Sequence, residues 1–240
     1  MEYALVTASS SGIGYAIAER LLQEGHFCYV NYAHDDRRAE SIVKQLLNIS
    51  KRLKMIKADL SSIEGISILI NSIKEDDSML NHIVLNCGVT DRTPFGEITQ
   101  ERWNYVLDTN VSMPFFLFQG LFDSIEDEGS IVLISSLLGR YPHAMSISYG
   151  VSKAALSALC QNLVKVCADR KVRINALEPG FVDTPWQNEK PIEQRLRIEK
   201  KIALNRFAQP YEIADMCHSV LHNTYINGAL IPLCGGYDMI

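Results

Sequence analysis

The chain has no apolar run of roughly 18 residues, which excludes a conventional membrane-spanning helix. Its first residues, Met-Glu-Tyr-Ala-Leu-Val-Thr, contain neither a basic stretch nor a long apolar one. No secretion signal is read there, and a cytoplasmic location is expected. An excess of basic residues is also missing. With 23 Lys and Arg against 28 Asp and Glu, the formal charge is −5, which gives no electrostatic footprint for nucleic acid. The basic cluster Arg195, Arg197, Lys200, Lys201 is interrupted by Glu199 and apolar residues, and reads as a solvated helix face. The six cysteines (Cys28, Cys87, Cys160, Cys167, Cys217, Cys234) form no CxxC pair and no His/Cys group at zinc-ligand spacing. No metal is therefore expected, and the thiols read as free and buried. A linker rich in Pro, Gly or Ser is absent, as is any repeat, so residues 1–240 are expected to form one domain.

What is present is a globular composition, 47% hydrophobic and 21% charged, in which β-rich and helical patterns alternate from end to end. Strands are predicted at 4–7, 27–32, 53–58, 82–86, 130–134, 173–177 and 229–233. Helices are predicted from the glycine turn at 12–14 through Leu22, then at 38–47, 62–75, 99–123, 147–169 and 210–222. This alternation implies βαβ units, a parallel sheet covered on both faces and right-handed crossovers. The commonest such topology is the doubly wound, Rossmann-type nucleotide-binding sheet. Residues 183–208, opening Asp-Thr-Pro-Trp and closing Arg-Phe-Ala-Gln-Pro, interrupt the regularity and read as a small helical insertion suited to a substrate lid.

Chemistry is concentrated in Tyr149-Gly-Val-Ser-Lys153, 13 residues after Ser136. The i, i+4 spacing puts phenol and ammonium on one helical face. A cation beside a phenol favours phenolate and is expected to lower a pKa normally near 10, as proton transfer at neutral pH would require. By itself the pair also fits a solvated lysine above a packed tyrosine. At the other end of the chain, the first strand runs into Thr7-Ala8-Ser9-Ser10-Ser11-Gly12-Ile13-Gly14, and a helix starts at the glycines. A glycine-rich turn there lets the backbone approach a pyrophosphate, although a serine-rich turn merely capping a helix has the same look.

Thr7 to Gly14 resembles the TGxxxGIG loop of short-chain dehydrogenases/reductases. The likeness continues through Asp59 and Leu60, Asn86-Cys87-Gly88, Asn110, Ser136, Tyr149, Lys153, and Pro179-Gly180 with Val182 and Thr184. Two departures are visible: Ala8 replaces the first loop glycine, and Cys87 replaces the usual alanine. The resemblance implies that Tyr149 is the general acid on a carbonyl oxygen, that Lys153 holds the nicotinamide ribose, and that Ser136 bonds the same oxygen. Asn110 would hold water in a proton relay. Asn86, Cys87 and Gly88 would shape the backbone on the adenosine side, with Asp59 and Leu60 near the adenine. Val182 would serve the carboxamide and Thr184 the phosphates. The second strand ends Tyr32-Ala33-His34, without the carboxylate that selects NAD, so NADPH is expected over NADH although no convincing basic clamp is visible.

Within that family the chain is similar to bacterial 3-oxoacyl-(acyl-carrier-protein) reductases. The likeness rests on Trp103-Asn104, Asp108-Thr109-Asn110, Leu204-Asn205-Arg206-Phe207, Asn227-Gly228-Ala229 and Gly235-Gly236. It implies reduction of a 3-oxoacyl thioester in fatty-acid or specialised acyl biosynthesis, with Arg170 facing an acyl carrier protein. The acidic run Asp123, Glu126, Asp127, Glu128 stands where such relatives carry a second basic group. The expected substrate walls are Leu137, Leu138, His143, Met145, Phe181 and Trp186, apolar and without a guanidinium. An NAD(P)-linked dehydrogenase of a free apolar alcohol or ketone stays open, as does a non-catalytic nucleotide sensor. A homotetramer is implied by the family, with Phe115, Phe116, Phe118 and Leu121 suited to its interface or to a buried helix.

Overall fold

In the computed structural model, which describes residues 1–142, 146–188, 190–237 and 239, seven parallel strands form one sheet. They are β1 (Tyr3–Val6), β2 (Phe27–Tyr32), β3 (Leu53–Lys57), β4 (Leu80–Leu85), β5 (Ile125–Ile134), β6 (Arg173–Pro179) and β7 (Leu230–Leu233). Their order is β3-β2-β1-β4-β5-β6-β7, with the winding reversing between β1 and β4. This is the doubly wound arrangement, whose ligands bind at the carboxyl ends of the strands by that reversal.

The strands read as near-continuous apolar runs because both faces are covered. Leu5, Tyr29, Ile83 and Leu133 meet helices α3 (Ile63–Lys74), α5 (Met113–Leu121) and α6 (Ile147–Cys167) on one side. The alternate residues Val6, Val30, Val84 and Val132 meet α1 (Gly12–Gln23), α2 (Asp36–Ile49) and α8 (Pro210–His222) on the other. Each strand thus feeds two cores with its two side-chain sets.

Three differences from the sequence reading bear on the site. The helix expected over 99–123 is α4 (Gln100–Leu107), then a π turn at Asp108–Ser112, then α5. Such turns are often inserted at functional positions, and this one contains Asn110. Strand β5 begins at Ile125, not Ser130. Its pairing with β4 moves from Leu80–Ile125 straight to His82–Ser130, so the acidic residues form a bulge, with Glu128 at φ 66°. Helix α2 begins at Asp36, because Asp35 caps it by accepting from the Arg38 N–H at 2.9 Å. The insertion at 183–208 contains α7 (Ile192–Glu199) and is closed at its base by a bridge between Val182 and Ala208.

Candidate active site

A cleft of about 540 Å³ opens at the carboxyl ends of the strands. The first turn of α1 forms one wall, and its N–H groups from Gly12 onward precede the helical ladder. Ser11 contributes no side-chain cap, so these donors are left for an anion. Gly12 takes φ 55°, a left-handed conformation that glycine adopts without a Cβ penalty. A Cβ on Gly14 would lie 2.4 Å from the Ala8 carbonyl, so only glycine lets the helix pass under its own loop. Ala8 sits at φ 49°, where the departure from the usual glycine places a Cβ in a strained backbone.

The loop's polar side chains support it from behind. Thr7 Oγ1 accepts from the Asn86 N–H at 2.8 Å and the Cys87 N–H at 3.2 Å, tying β1 to the end of β4. Ser9 Oγ donates to the Val6 carbonyl and accepts from the Asn31 N–H, both at 2.9 Å. Both residues are buried and neither lines the cleft, which corrects their expected contact with a cofactor. Asn86 lines the cleft while its amide donates to the Thr7 and Ala8 carbonyls at 3.2 Å each.

The remaining expectations divide. Ser11, Gly12, Ile13, Asn86, Gly88, Pro179, Gly180, Val182 and Thr184 line the cleft together with Ser136, Tyr149 and Lys153. Ser10, Gly14, Tyr32, His34, Asp59, Leu60 and Cys87 do not. Tyr32 donates to Asp36 at 3.0 Å, and His34 stands 3.2 Å from the Asp59 carboxylate. Leu60 is part of the core. The lining residues outside the sequence reading include Ile134, Ser135, Pro185, Gln187 and Arg38, the last missed because its position inside α2 gives it no motif. Its guanidinium lies 3.7 Å from Asp35 and is about half exposed.

The reactive wall is built by α6. Tyr149 and Lys153 share a face, with the ammonium 5.6 Å from the phenol ring centre. Lys153 is 2% exposed, donates to the Ile134 carbonyl at 2.8 Å, and has its pKa pushed down to about 8 by burial. Burial raises the Tyr149 pKa, while a hydrogen bond with the Ser136 hydroxyl works the other way. The expected lowering by Lys153 is therefore not found in this structure. The cation turns to a main-chain carbonyl and desolvation prevails. A phenol with a raised pKa stays protonated at neutral pH, which suits an acid.

Asn110 is fully buried. Its Oδ1 accepts from the Val89 N–H at 2.7 Å, and its Nδ2 donates to the Val89 carbonyl and to Ser152 Oγ, both at 2.9 Å. Ser152 in turn donates to the Tyr149 carbonyl at 2.7 Å, so the π turn grips the first turns of α6. A Cβ on Gly88 would lie 3.2 Å from Lys153 Nζ and 3.3 Å from Asn110 Oδ1, so this loop closes directly over the lysine. A second group, absent from the sequence reading, anchors α6 to the sheet. Ser135 donates to the Lys153 carbonyl at 2.8 Å, and Ser157 donates to Glu178 at 2.9 Å.

Beside the cleft lies a smaller cavity of about 180 Å³ that shares Ser136, Tyr149, Gly180, Trp186 and Gln187 with it. Leu137, Leu138, Phe181 and Ile198 supply apolar wall, much as expected. His143 and Met145 lie outside the described residues. Arg92 and Lys190 also line it, which corrects the expectation of a wall without a guanidinium.

This geometry matches a family pattern. Residues 2–195 match the model of the short chain dehydrogenase family. The chain belongs to the short-chain dehydrogenase/reductase family. Glucose 1-dehydrogenase 2 of Bacillus subtilis is 30% identical over 98% of this chain and 94% of its own. A 3-oxoacyl-[acyl-carrier-protein] reductase of Staphylococcus aureus is 28% identical over 98% of both. The structure of an angucycline C-6 ketoreductase with bound NADP superposes with TM-score 0.93 at 27% identity, covering 100% of this chain and 96% of that one. As a short-chain dehydrogenase/reductase the protein is an oxidoreductase, and none of its described helices is long and apolar enough to cross a membrane.

Proposed function

We propose that the protein reduces a 3-oxoacyl thioester to the 3-hydroxyacyl form, using NADPH. One observation carries the reaction class. Ser136 and Tyr149 form a wall common to both cavities, so a carbonyl entering the smaller one meets two hydroxyls at the edge of the larger. The larger cleft suits a dinucleotide. It offers the bare N-terminus of α1 for a pyrophosphate and the Gly88 approach beside Lys153 for a ribose. A bound nicotinamide supplies the hydride. The protein's own residues do the rest. Ser136 donates to the carbonyl oxygen and orients it, and Tyr149 gives that oxygen its proton. Lys153 holds positive charge behind the phenol, and the Asn110–Ser152 bonds keep that helical turn in place.

Arg38 supports NADPH over NADH, as the guanidinium available in the cleft for a 2′-phosphate where β2 ends without an acid. Arg38→Ala is expected to reduce NADPH affinity by about tenfold or more while changing NADH affinity little. Titration by nucleotide fluorescence checks this, and equal losses for both would remove Arg38 from that role.

The apolar wall and the Arg92–Lys190 charge favour an acyl chain carried on an anionic arm over a neutral sugar. Arg170 is held by its own protein. It donates to Asp127 at 2.7 Å, to the Phe122 carbonyl at 2.6 Å and to the Ile125 carbonyl, all in the segment that enters β5. A carrier protein would meet Arg92 and Lys190 instead. A homotetramer is proposed through α4, α5 and α6, where Tyr105, Phe116, Val151 and Val166 are exposed. Phe118 and Leu121 belong to the core and take no part in it. NADPH oxidation with an acetoacetyl thioester, set beside a panel of free ketones, tests the substrate. Turnover of free ketones alone would replace this substrate with a free apolar one.

A further inference from the structure

The end of the sheet opposite the cleft gathers four residues from distant parts of the chain. Glu2 precedes β1, His26 precedes β2, His82 lies in β4 and His222 ends α8. Each offers one donor atom, and the four donors all lie within 4.8 Å of one another. Glu2 Oε2 is 3.2 Å from His26 Nδ1, 3.2 Å from His82 Nε2 and 3.7 Å from His222 Nε2. Donors at about 2.0–2.1 Å from a tetrahedral zinc stand about 3.3 Å apart, close to the three distances from Glu2 Oε2.

Hydrogen bonding does not account for this convergence. His222 Nδ1 lies 2.8 Å from the His218 carbonyl, which fixes the proton on that nitrogen. In the neutral ring, Nε2 then turns a lone pair toward a carboxylate oxygen, a repulsive contact unless positive charge lies between them. His26 is 5% exposed and its Nδ1 makes no hydrogen bond, although it faces the same oxygen. His82 is 6% exposed, and the nitrogen it turns to the group is Nε2, 3.2 Å from Glu2 Oε2. Of the three rings, only His82 has a hydrogen bond with that oxygen, at 3.2 Å. The remaining charges nearby, Arg20, Glu24, Asp215 and the stacked His218 ring, sit around the group and not within it.

We propose that Glu2, His26, His82 and His222 form a structural site for a divalent transition metal, zinc by its donor set. Three imidazoles and a carboxylate suit zinc over calcium or magnesium, and four protein donors leave no open position for catalysis. The His218 carbonyl acts as the outer partner that sets the His222 tautomer and ring orientation. The ion would fasten the N-terminal segment to β2, β4 and the end of α8, so its effect falls on stability and not on turnover.

The test uses the full chain without a histidine tag, stripped with a chelator and titrated with Co²⁺ and then Zn²⁺. The expected result is one Co²⁺ per chain with the intense visible spectrum of a tetrahedral site, displaced by Zn²⁺. Excess Zn²⁺ should raise Tm by about 5–10 °C. Glu2→Gln and His222→Gln, both at partly exposed positions, should each weaken Co²⁺ binding by at least about a hundredfold, since outer partners alone are worth on the order of 10–100-fold. NADPH-dependent turnover at low temperature should be unchanged in both. Failure to bind one equivalent, a six-coordinate spectrum, or binding that survives both substitutions would overturn the proposal.

Discussion

Lys153 is a cation held where the protein solvates it poorly. Among the described residues only the Ile134 carbonyl is hydrogen-bonded to its ammonium, and burial brings its pKa to about 8. The unfolded chain keeps that proton to higher pH, so stability rises with pH between about 8 and the ordinary lysine value of 10.5. Lys153→Met should therefore abolish turnover while stabilising the protein by about 1–3 kcal/mol at pH 7. The gain should vanish above pH 10.5, where the charge is lost in both states. Thermal unfolding at the two pH values checks it, and a lower Tm at pH 7 would show that the lysine is well solvated. Ala8 stores a smaller cost. Ala8→Gly should stabilise by about 0.5–1 kcal/mol, measured by urea unfolding, because glycine occupies φ 49° without strain. The reactive residues were legible because their relation is local: Tyr149 and Lys153 are one helical turn apart, and a strand end presents Ser136. Arg38 was not legible. Only the start of α2, set by the Asp35 cap, turns it into the cleft.

At the scale of elements, the insertion at 183–208 is closed at its base by the Val182–Ala208 bridge, and Trp186, Lys190 and Ile198 in it line the smaller cavity. Arg195 is its clasp. It lies 2.9 Å from Asp183 and 3.3 Å from Glu199, with its guanidinium 4.5 Å from the Phe207 ring centre. Arg195→Ala should raise the substrate KM about three- to tenfold, the worth of about 1 kcal/mol for a partly exposed pair, and leave cofactor affinity alone. Steady-state kinetics against both substrates checks this, and an equal change in cofactor KM would contradict it. The insertion was readable from its composition, lying between two regular patterns. The π turn was not, because 99–123 keeps a helical period across it. What marks the turn is the bond between Asn110 and the Val89 peptide, a contact between elements. Arg170 shows the converse limit of reading position alone. Its position resembled an exposed basic residue, but the bulge in β5 folds the acidic run back onto it.

For the whole molecule, the alternation of patterns was enough to give the sheet and both helical layers, because buried parallel strands leave continuous apolar runs. Order across the sheet then followed from right-handed crossovers. The histidine group at the far end could not be read that way. Positions 2, 26, 82 and 222 share no spacing, and only the packing of β1, β2, β4 and α8 brings them together. The fold thus separates two tasks, with reactive chemistry at the carboxyl ends of the strands and a fastening point at the other. The central claim concerns the first, that Tyr149 delivers the proton to a carbonyl oxygen. The direct measurement is single-turnover NADPH oxidation with an acetoacetyl thioester, comparing the protein with Tyr149→Phe and following nucleotide binding in parallel. A loss of roughly 10²–10⁴-fold in rate, with cofactor affinity unchanged within a few-fold, is the predicted result. Oxidation by Tyr149→Phe within about tenfold of the parent rate would contradict it.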